Sequence, residues 1–81
     1  MIKVGDKVKE LPMLKHHSNK KGFIAIVTEV IPSDPNNSIV DHGFVEVQIV
    51  EKGTMSPLLD IGDLEHYGHS NWEKCLKILT E

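Results

Sequence analysis

The sequence contains no arginine, one cysteine and only four aromatic residues. Without arginine the chain cannot make bidentate guanidinium contacts to phosphate, which disfavours tight nucleic-acid recognition. A single cysteine, Cys75, excludes an internal disulfide and is typical of a reducing compartment. No segment approaches the roughly 20 apolar residues of a membrane helix, and the first residues lack a signal-peptide core. We therefore expect a cytoplasmic protein that makes no membrane contact.

Length and composition predict one globular domain that covers residues 1–81. The chain has 81 residues, of which 40% are hydrophobic and 26% charged, and these values are ordinary for a soluble domain. A chain of this size buries only about 60 to 65% of the surface that its unfolded form exposes. The core is therefore expected to be thin, and a large enclosed active-site cavity is not expected.

Two stretches carry the clearest strand patterns. In residues 45–50, apolar β-branched residues occupy every second position, which predicts a half-buried strand. Residues 22–31 are mostly apolar at both parities and predict a long central strand that bends. Residues 32–43, which lie between them, are rich in Pro, Asp, Asn and Ser and predict an exposed hairpin loop.

Two shorter strands are also predicted. Ile2, Val4 and Val8 share one parity and suggest a first strand, with a bend at Gly5 near its start. A second short strand is predicted at residues 64–67, after a stretch of small apolar pieces interrupted by glycine.

The carboxyl-terminal segment predicts a brief helical turn followed by a closing strand. Ser70 and Glu73 have the S-x-x-E spacing of a capping box, in which each side chain accepts a hydrogen bond from an amide at a helix start. Residues 76–79 are expected to form the last strand. We expect the helical turn and this strand together to seal one end of the core. The residues expected to face inward are Trp72, Cys75, Leu76 and Ile78.

At this point the chain resembles the SH3-like barrel superfamily, in particular its KOW-type and small bacteriophage-encoded members. The stretches that carry the resemblance are "VGDKVKEL", "KKGFIAIVTEV", "FVEVQIV" and "WEKCLKIL". The resemblance implies an all-β fold, a small, strongly bent, antiparallel five-stranded barrel with one short 3₁₀ or helical turn before the last strand. It does not imply recognition of proline motifs, because the ALYDY-like stretch and clustered groove aromatics of peptide-binding SH3 domains are absent from this sequence.

Motifs for chemistry are weak. His66, His69 and Cys75 lie close in sequence, but no C-x-x-C or H-x₃-H pair accompanies them, so surface histidines are favoured over a zinc site. Asp60 and Asp63 are near one another only in sequence, and no phosphate-binding Gly-rich loop is present. We therefore expect no enzyme activity, no cofactor, no metal and no small-molecule substrate.

Two candidate contact surfaces can be named. Tyr67 and Trp72 are expected to form an aromatic rim at which a partner could dock. Lys15, Lys20 and Lys21 make the loop at residues 15–22 the one local concentration of basic residues.

The sequence thus favours a non-catalytic protein-interaction or accessory module. Its expected partner is another protein or a second copy of itself, and as a bacteriophage protein it would act in the host cytoplasm or the virion. The alternative is a KOW-like nucleic-acid or ribosome-associated module that binds nucleic acid weakly through the basic loop.

Overall fold

A computed structural model of the chain describes residues 2–12, 19–33, 36 and 43–79. These residues form one five-stranded antiparallel sheet and one short 3₁₀ helix, which confirms the predicted all-β class. The elements are β1 (Lys7–Glu10), β2 (Ile24–Ile31), β3 (Phe44–Glu51), β4 (Leu64–Tyr67), the 3₁₀ helix (Trp72–Lys74) and β5 (Leu76–Ile78). In the described residues no helix is long or apolar enough to cross a bilayer.

The strands follow the order β4-β3-β2-β1-β5, and each neighbouring pair is antiparallel. β2 and β3 form the long central hairpin, whose last paired residues are Ile31 and Phe44. β4 and β5 lie at the two ends of the order, and no ladder joins them in the described residues. The pairing therefore establishes an open five-stranded sheet and does not by itself establish a closed barrel.

The core lies on one face of the sheet and is built by period-two alternation. Val45, Val47 and Ile49 of β3 are all at most 1% exposed, whereas Val50 is 43% exposed. This contrast confirms the predicted half-buried strand, because successive side chains of a strand point to opposite faces. The cluster of buried core residues consists of Ile2, Val8, Phe23, Ala25, Val27, Val45, Val47, Ile49 and Leu76.

β2 is the central strand and it is irregular, as predicted from its two apolar faces. Its register with β3 shifts between Ile24 and Ala25 and again between Val27 and Glu29. Such irregularities bend a strand and increase its twist. Ile24 is 8% exposed although it is not a member of the core cluster, so part of the opposite face is also covered.

The amino-terminal segment corrects one expectation. β1 begins only at Lys7, and Val4 is 61% exposed, so of the three residues that suggested a first strand only Val8 lies in it. The chain turns instead at Gly5, whose φ of 95° lies in the left-handed region that glycine tolerates. Asp6 is 3% exposed and accepts a hydrogen bond from the Lys3 N–H (2.9 Å), which closes the turn and leaves Val4 outside.

The 3₁₀ helix before β5 confirms the predicted turn but not its predicted cap. Asn71 is the residue before the helix, and no side chain caps the helix by a hydrogen bond. The capping box of Ser70 and Glu73 is therefore wrong, because the helix begins one position later than that motif requires. Leu76 is buried, as predicted. The other three predicted inward residues, Trp72, Cys75 and Ile78, are half-buried and pack against the core.

Candidate interaction surfaces

The predicted basic loop is divided by the structure. Lys15 lies outside the described residues, and Lys20 is exposed. Lys21 forms an ion pair with Glu51 (Nζ to Oε1, 2.7 Å), and its backbone N–H donates to Thr54 Oγ1 at 2.8 Å. Lys21 thus helps to connect the loop between β1 and β2, called the first loop below, to the end of β3. Its charge is balanced by Glu51.

The predicted aromatic rim is partly core. Tyr67 and Trp72 are both half-buried and pack against the core cluster. Burial raises the pKa of Tyr67 well above its usual value, and the nearby Glu10, Glu65 and Cys75 raise it further. These two rings therefore offer only part of their surface to a partner.

A surface cleft of about 340 Å³ lies where the β1 and β5 strands meet the first loop and the loop after β3. Two of its lysines come from paired strands and a third from the first loop, so the sheet fixes most of its charge. The cleft combines cationic and apolar residues. The lysines are Lys9, Lys20 and Lys77, and the apolar residues include Leu11, Pro12, Met55 and Leu79.

Lys9 and Lys77 are Cα partners in the antiparallel pairing of β1 with β5, and both are exposed. Residues directly opposite one another on adjacent strands point to the same face, and like charges in that position are destabilising. Sequence reasoning missed both lysines, because they lie near opposite ends of the chain and only the strand register brings them together. The alternation in "KVKE" and "LKI" would have placed each lysine on an outward position, but not beside the other.

The three lysines of the cleft have no acidic partner among the described residues. In the described part of the chain Lys9, Lys20 and Lys77 make no ion pair, although acidic residues outnumber basic ones by 12 to 9 in the whole sequence. Ion pairs of other described lysines include Lys3 with Asp6 (3.1 Å), Lys21 with Glu51 (2.7 Å) and Lys52 with Asp60 (2.9 Å), whereas Lys74, outside the cleft, makes none with a described residue. The cleft thus brings together three lysines whose charge no described ion pair balances.

Glu10 is the one acidic residue among the described residues that line the cleft, and its carboxylate is engaged by neighbouring segments. It accepts a hydrogen bond from Ser56 Oγ at 2.7 Å and one from the Phe23 N–H at 3.3 Å. The backbone of the first loop also approaches the backbone of β1 closely, because a Cβ on Gly22 would lie only 2.1 Å from the Glu10 carbonyl oxygen. Glu10 thus ties the first loop and the loop after β3 to β1, which gives the cleft a fixed shape.

Charge is segregated across the sheet. β1 and β5 together carry three lysines and one glutamate. β3 and β4 together carry three glutamates and no lysine. The β1–β5 side of the sheet therefore carries mainly lysines, and the cleft lies on this side. The acidic residues of the β3–β4 side include Glu51, which is paired with Lys21, and Glu46, which contacts His66.

On the outward face, Thr28, Glu46 and His66 form a small polar group. Thr28 Oγ1 donates to Glu46 Oε1 (2.7 Å), and His66 Nε2 lies 2.9 Å from Glu46 Oε2. The hydrogen bond from Thr28, and then that with His66, holds the pKa of Glu46 below its usual value, which makes this carboxylate a weaker base. The imidazole contacts the carboxylate and not the hydroxyl, so the group lacks the nucleophile–base contact of covalent catalysis.

The histidines that were weighed as metal ligands have different partners. His66 faces Glu46, whereas His69 Nδ1 accepts a hydrogen bond from the Ser33 N–H at 3.3 Å. Among residues 2–12, 19–33, 36 and 43–79, no group of three or more His, Cys, Asp or Glu side chains is placed to hold a metal ion. The cleft is thus the feature of the described surface that most resembles a binding site.

Comparisons with protein-family models, with curated proteins and with solved structures find no match for this chain.

Proposed function

We propose that the chain is a non-catalytic SH3-like barrel that serves as a protein-interaction module. Support for the barrel comes from the five antiparallel strands, the bend of β2 at its two register shifts and the 3₁₀ helix directly before β5. Trp72 lies between the edge strands β4 and β5 in the sequence and packs against the core. Its position favours a barrel in which side chains, and not a strand ladder, cover the gap between these two strands.

The observation that carries the proposed function is the cleft with its three lysines, none of which forms an ion pair with a described residue. Their charge calls for an anionic ligand, and the adjoining Leu11 and Met55 call for apolar contact as well. A protein segment that carries both carboxylates and apolar side chains satisfies both requirements. Each exposed ion pair contributes only about 0.2 to 1 kcal/mol, so the apolar contacts must supply much of the affinity.

A titration with defined probes tests this function. The chain labelled with ¹⁵N is titrated with a short peptide of alternating Glu and Leu, with the same peptide carrying Lys for Glu, and with a single-stranded oligothymidylate. We expect the acidic peptide to shift the amide signals of Lys9, Met55 and Lys77, because these residues line the cleft. The basic peptide should leave them unchanged.

Two matched variants show whether the cleft is the site. Lys77→Glu reverses a cleft charge, whereas Lys74→Glu reverses an exposed charge in the nearby 3₁₀ helix, outside the cleft. We expect Lys77→Glu to weaken binding of the acidic peptide and Lys74→Glu to leave it nearly unchanged. If the oligothymidylate binds the cleft more tightly than the peptide, the nucleic-acid alternative replaces this proposal. If neither probe shifts cleft signals, an interaction role for the cleft is refuted.

A further inference from the structure

The chain itself carries an exposed segment with the chemistry that the cleft requires. Residues 58–65 read "LLDIGDLE", and three of their apolar side chains face solvent. Leu58 is 91% exposed, Ile61 65% and Leu64 49%. Asp60 and Asp63, which alternate with them, are exposed as well. Clustered exposed apolar side chains of this kind mark interaction sites more often than ordinary surface.

This acidic segment is held in a defined conformation. The Asp60 N–H donates to Asp63 Oδ2 at 2.8 Å, and the Asp63 N–H donates to the Asp60 carbonyl at 3.0 Å. Leu59 packs against the core cluster, which anchors the segment from beneath. A segment that is ordered before binding loses less conformational entropy when it docks.

The carboxylates of the segment retain capacity for a partner. Asp60 also pairs with Lys52 at 2.9 Å, but both side chains are about half exposed or more. An ionised carboxylate has about four acceptor sites, so one internal contact leaves others for incoming lysines.

The acidic segment and the cleft are neighbours on the surface. Met55 lines the cleft, and Ser56, which is hydrogen-bonded to Glu10, is followed within two residues by Leu58. Lys9 and Glu51 are both register partners of Ile24, so Lys9 lies two strand spacings, or roughly 10 Å, from the end of β3. Lys52, the next residue after Glu51, forms an ion pair with Asp60 of the acidic segment.

We propose that two copies of the chain form a two-fold dimer in which the acidic segment of each copy occupies the basic cleft of the other. The short stretch from Met55 to Leu58 joins the two complementary patches, and patches that adjoin allow such a reciprocal, closed arrangement. Patches on opposite faces would instead produce open chains. The inference rests on the proposed function, because it names the ligand of the same cleft.

Analytical ultracentrifugation tests the dimer. The wild-type chain is expected to shift from its 9.1 kDa monomer toward twice that mass, and no further, between about 10 µM and 1 mM. Raising the salt from about 50 to 500 mM should weaken association by roughly tenfold or more, because ion pairs between the cleft lysines and the aspartates of the segment form part of the contact and are screened by salt. A chain that stays monomeric throughout this range, or one that grows beyond a dimer, would overturn the proposal.

Two defective variants and their mixture test which surfaces meet. Lys9→Glu/Lys77→Glu disables the cleft, and Leu58→Ser/Ile61→Ser disables the acidic segment. Each variant alone should remain monomeric, whereas an equimolar mixture should form a heterodimer, because one intact segment then meets one intact cleft. Controls are Lys74→Glu and Val4→Ser, which change an exposed charge and an exposed apolar residue outside both patches and should dimerise like the wild type.

The outcomes separate this inference from the proposed function. Association of either defective variant alone would place the interface elsewhere and refute the inference. The same would follow if the mixture failed to associate while circular dichroism showed both variants folded. If the Glu–Leu peptide binds the cleft but the wild-type chain remains monomeric, the interaction function stands and the dimer does not.

Discussion

Replacing Lys77 by glutamate is expected to stabilise the fold, because it converts a like-charge cross-strand pair into an opposite-charge pair. Lys9 and Lys77 are direct register partners, and directly opposite side chains start about 5 Å apart at Cβ. Two unit charges about 5.5 Å apart in water interact by about 0.75 kcal/mol. A Debye length of about 8 Å at physiological ionic strength reduces this pair energy to about 0.4 kcal/mol.

The measurement is a double-mutant cycle of urea-unfolding free energies for the wild type, Lys9→Glu, Lys77→Glu and the double variant. The double variant again has two like charges, so the coupling free energy contains the pair energy four times and is about 1.5 kcal/mol. In 1 M salt, where the Debye length is about 3 Å, it should fall to about 0.5 kcal/mol. A coupling under about 0.3 kcal/mol at physiological salt, or one that salt does not change, would refute the view that these two ammonium groups face each other.

Three further predictions follow from buried contacts. The hydrogen bond from Lys3 holds the pKa of Asp6 below its usual value, so Asp6 stabilises the fold above about pH 4 and this stabilisation is lost as the pH falls. Urea unfolding from about pH 6 to 2 should therefore show that the unfolding free energy of Asp6→Asn depends less on pH than that of the wild type. Burial raises the pKa of Tyr67, so alkaline ultraviolet titration should show this phenol ionising above about pH 10 in the folded chain. The free energy of unfolding should fall as the pH rises past that value, and ionisation at the ordinary pH would contradict the burial of this ring. Gly22→Ala places a Cβ 2.1 Å from the Glu10 carbonyl oxygen and should lower the free energy of unfolding by about 1 to 3 kcal/mol. The measurement is a lower urea midpoint at constant m-value, and an unchanged midpoint would contradict this close approach.

Local patterns predicted the strands well because strand periodicity is a property of neighbouring residues. The alternation through Val45, Val47 and Ile49 identified both the strand and its buried face. The short strand Leu64–Tyr67 was predicted with the bounds that the structure has. The same reasoning failed at Val4, since the side chain of Asp6 closes a turn there that apolar spacing does not reveal.

The binding surface was much harder to predict, because its charge depends on contacts between distant residues. Lys20 and Lys21 are adjacent in the sequence, and nothing in the sequence distinguishes them. The fold places Glu51 beside Lys21, and this carboxylate neutralises the charge of Lys21. Lys9 and Lys77 are ordinary outward lysines in sequence and become a site only through the β1–β5 register. Sequence reasoning therefore found one described lysine of the cleft, Lys20, and missed the two that the sheet fixes.

The strands at the two sides of the sheet differ in charge, with lysines on β1 and β5 and glutamates on β3 and β4. A molecule that approaches within about 8 Å, the Debye length at physiological salt, responds to the nearest side chains and not to the net charge of −3. The isoelectric point near 5.9 is thus an average of two unlike surfaces. At neutral pH the protein will turn its lysine-bearing side toward an anionic chromatography matrix or a negatively charged colloid, and adsorbed molecules will therefore share one orientation.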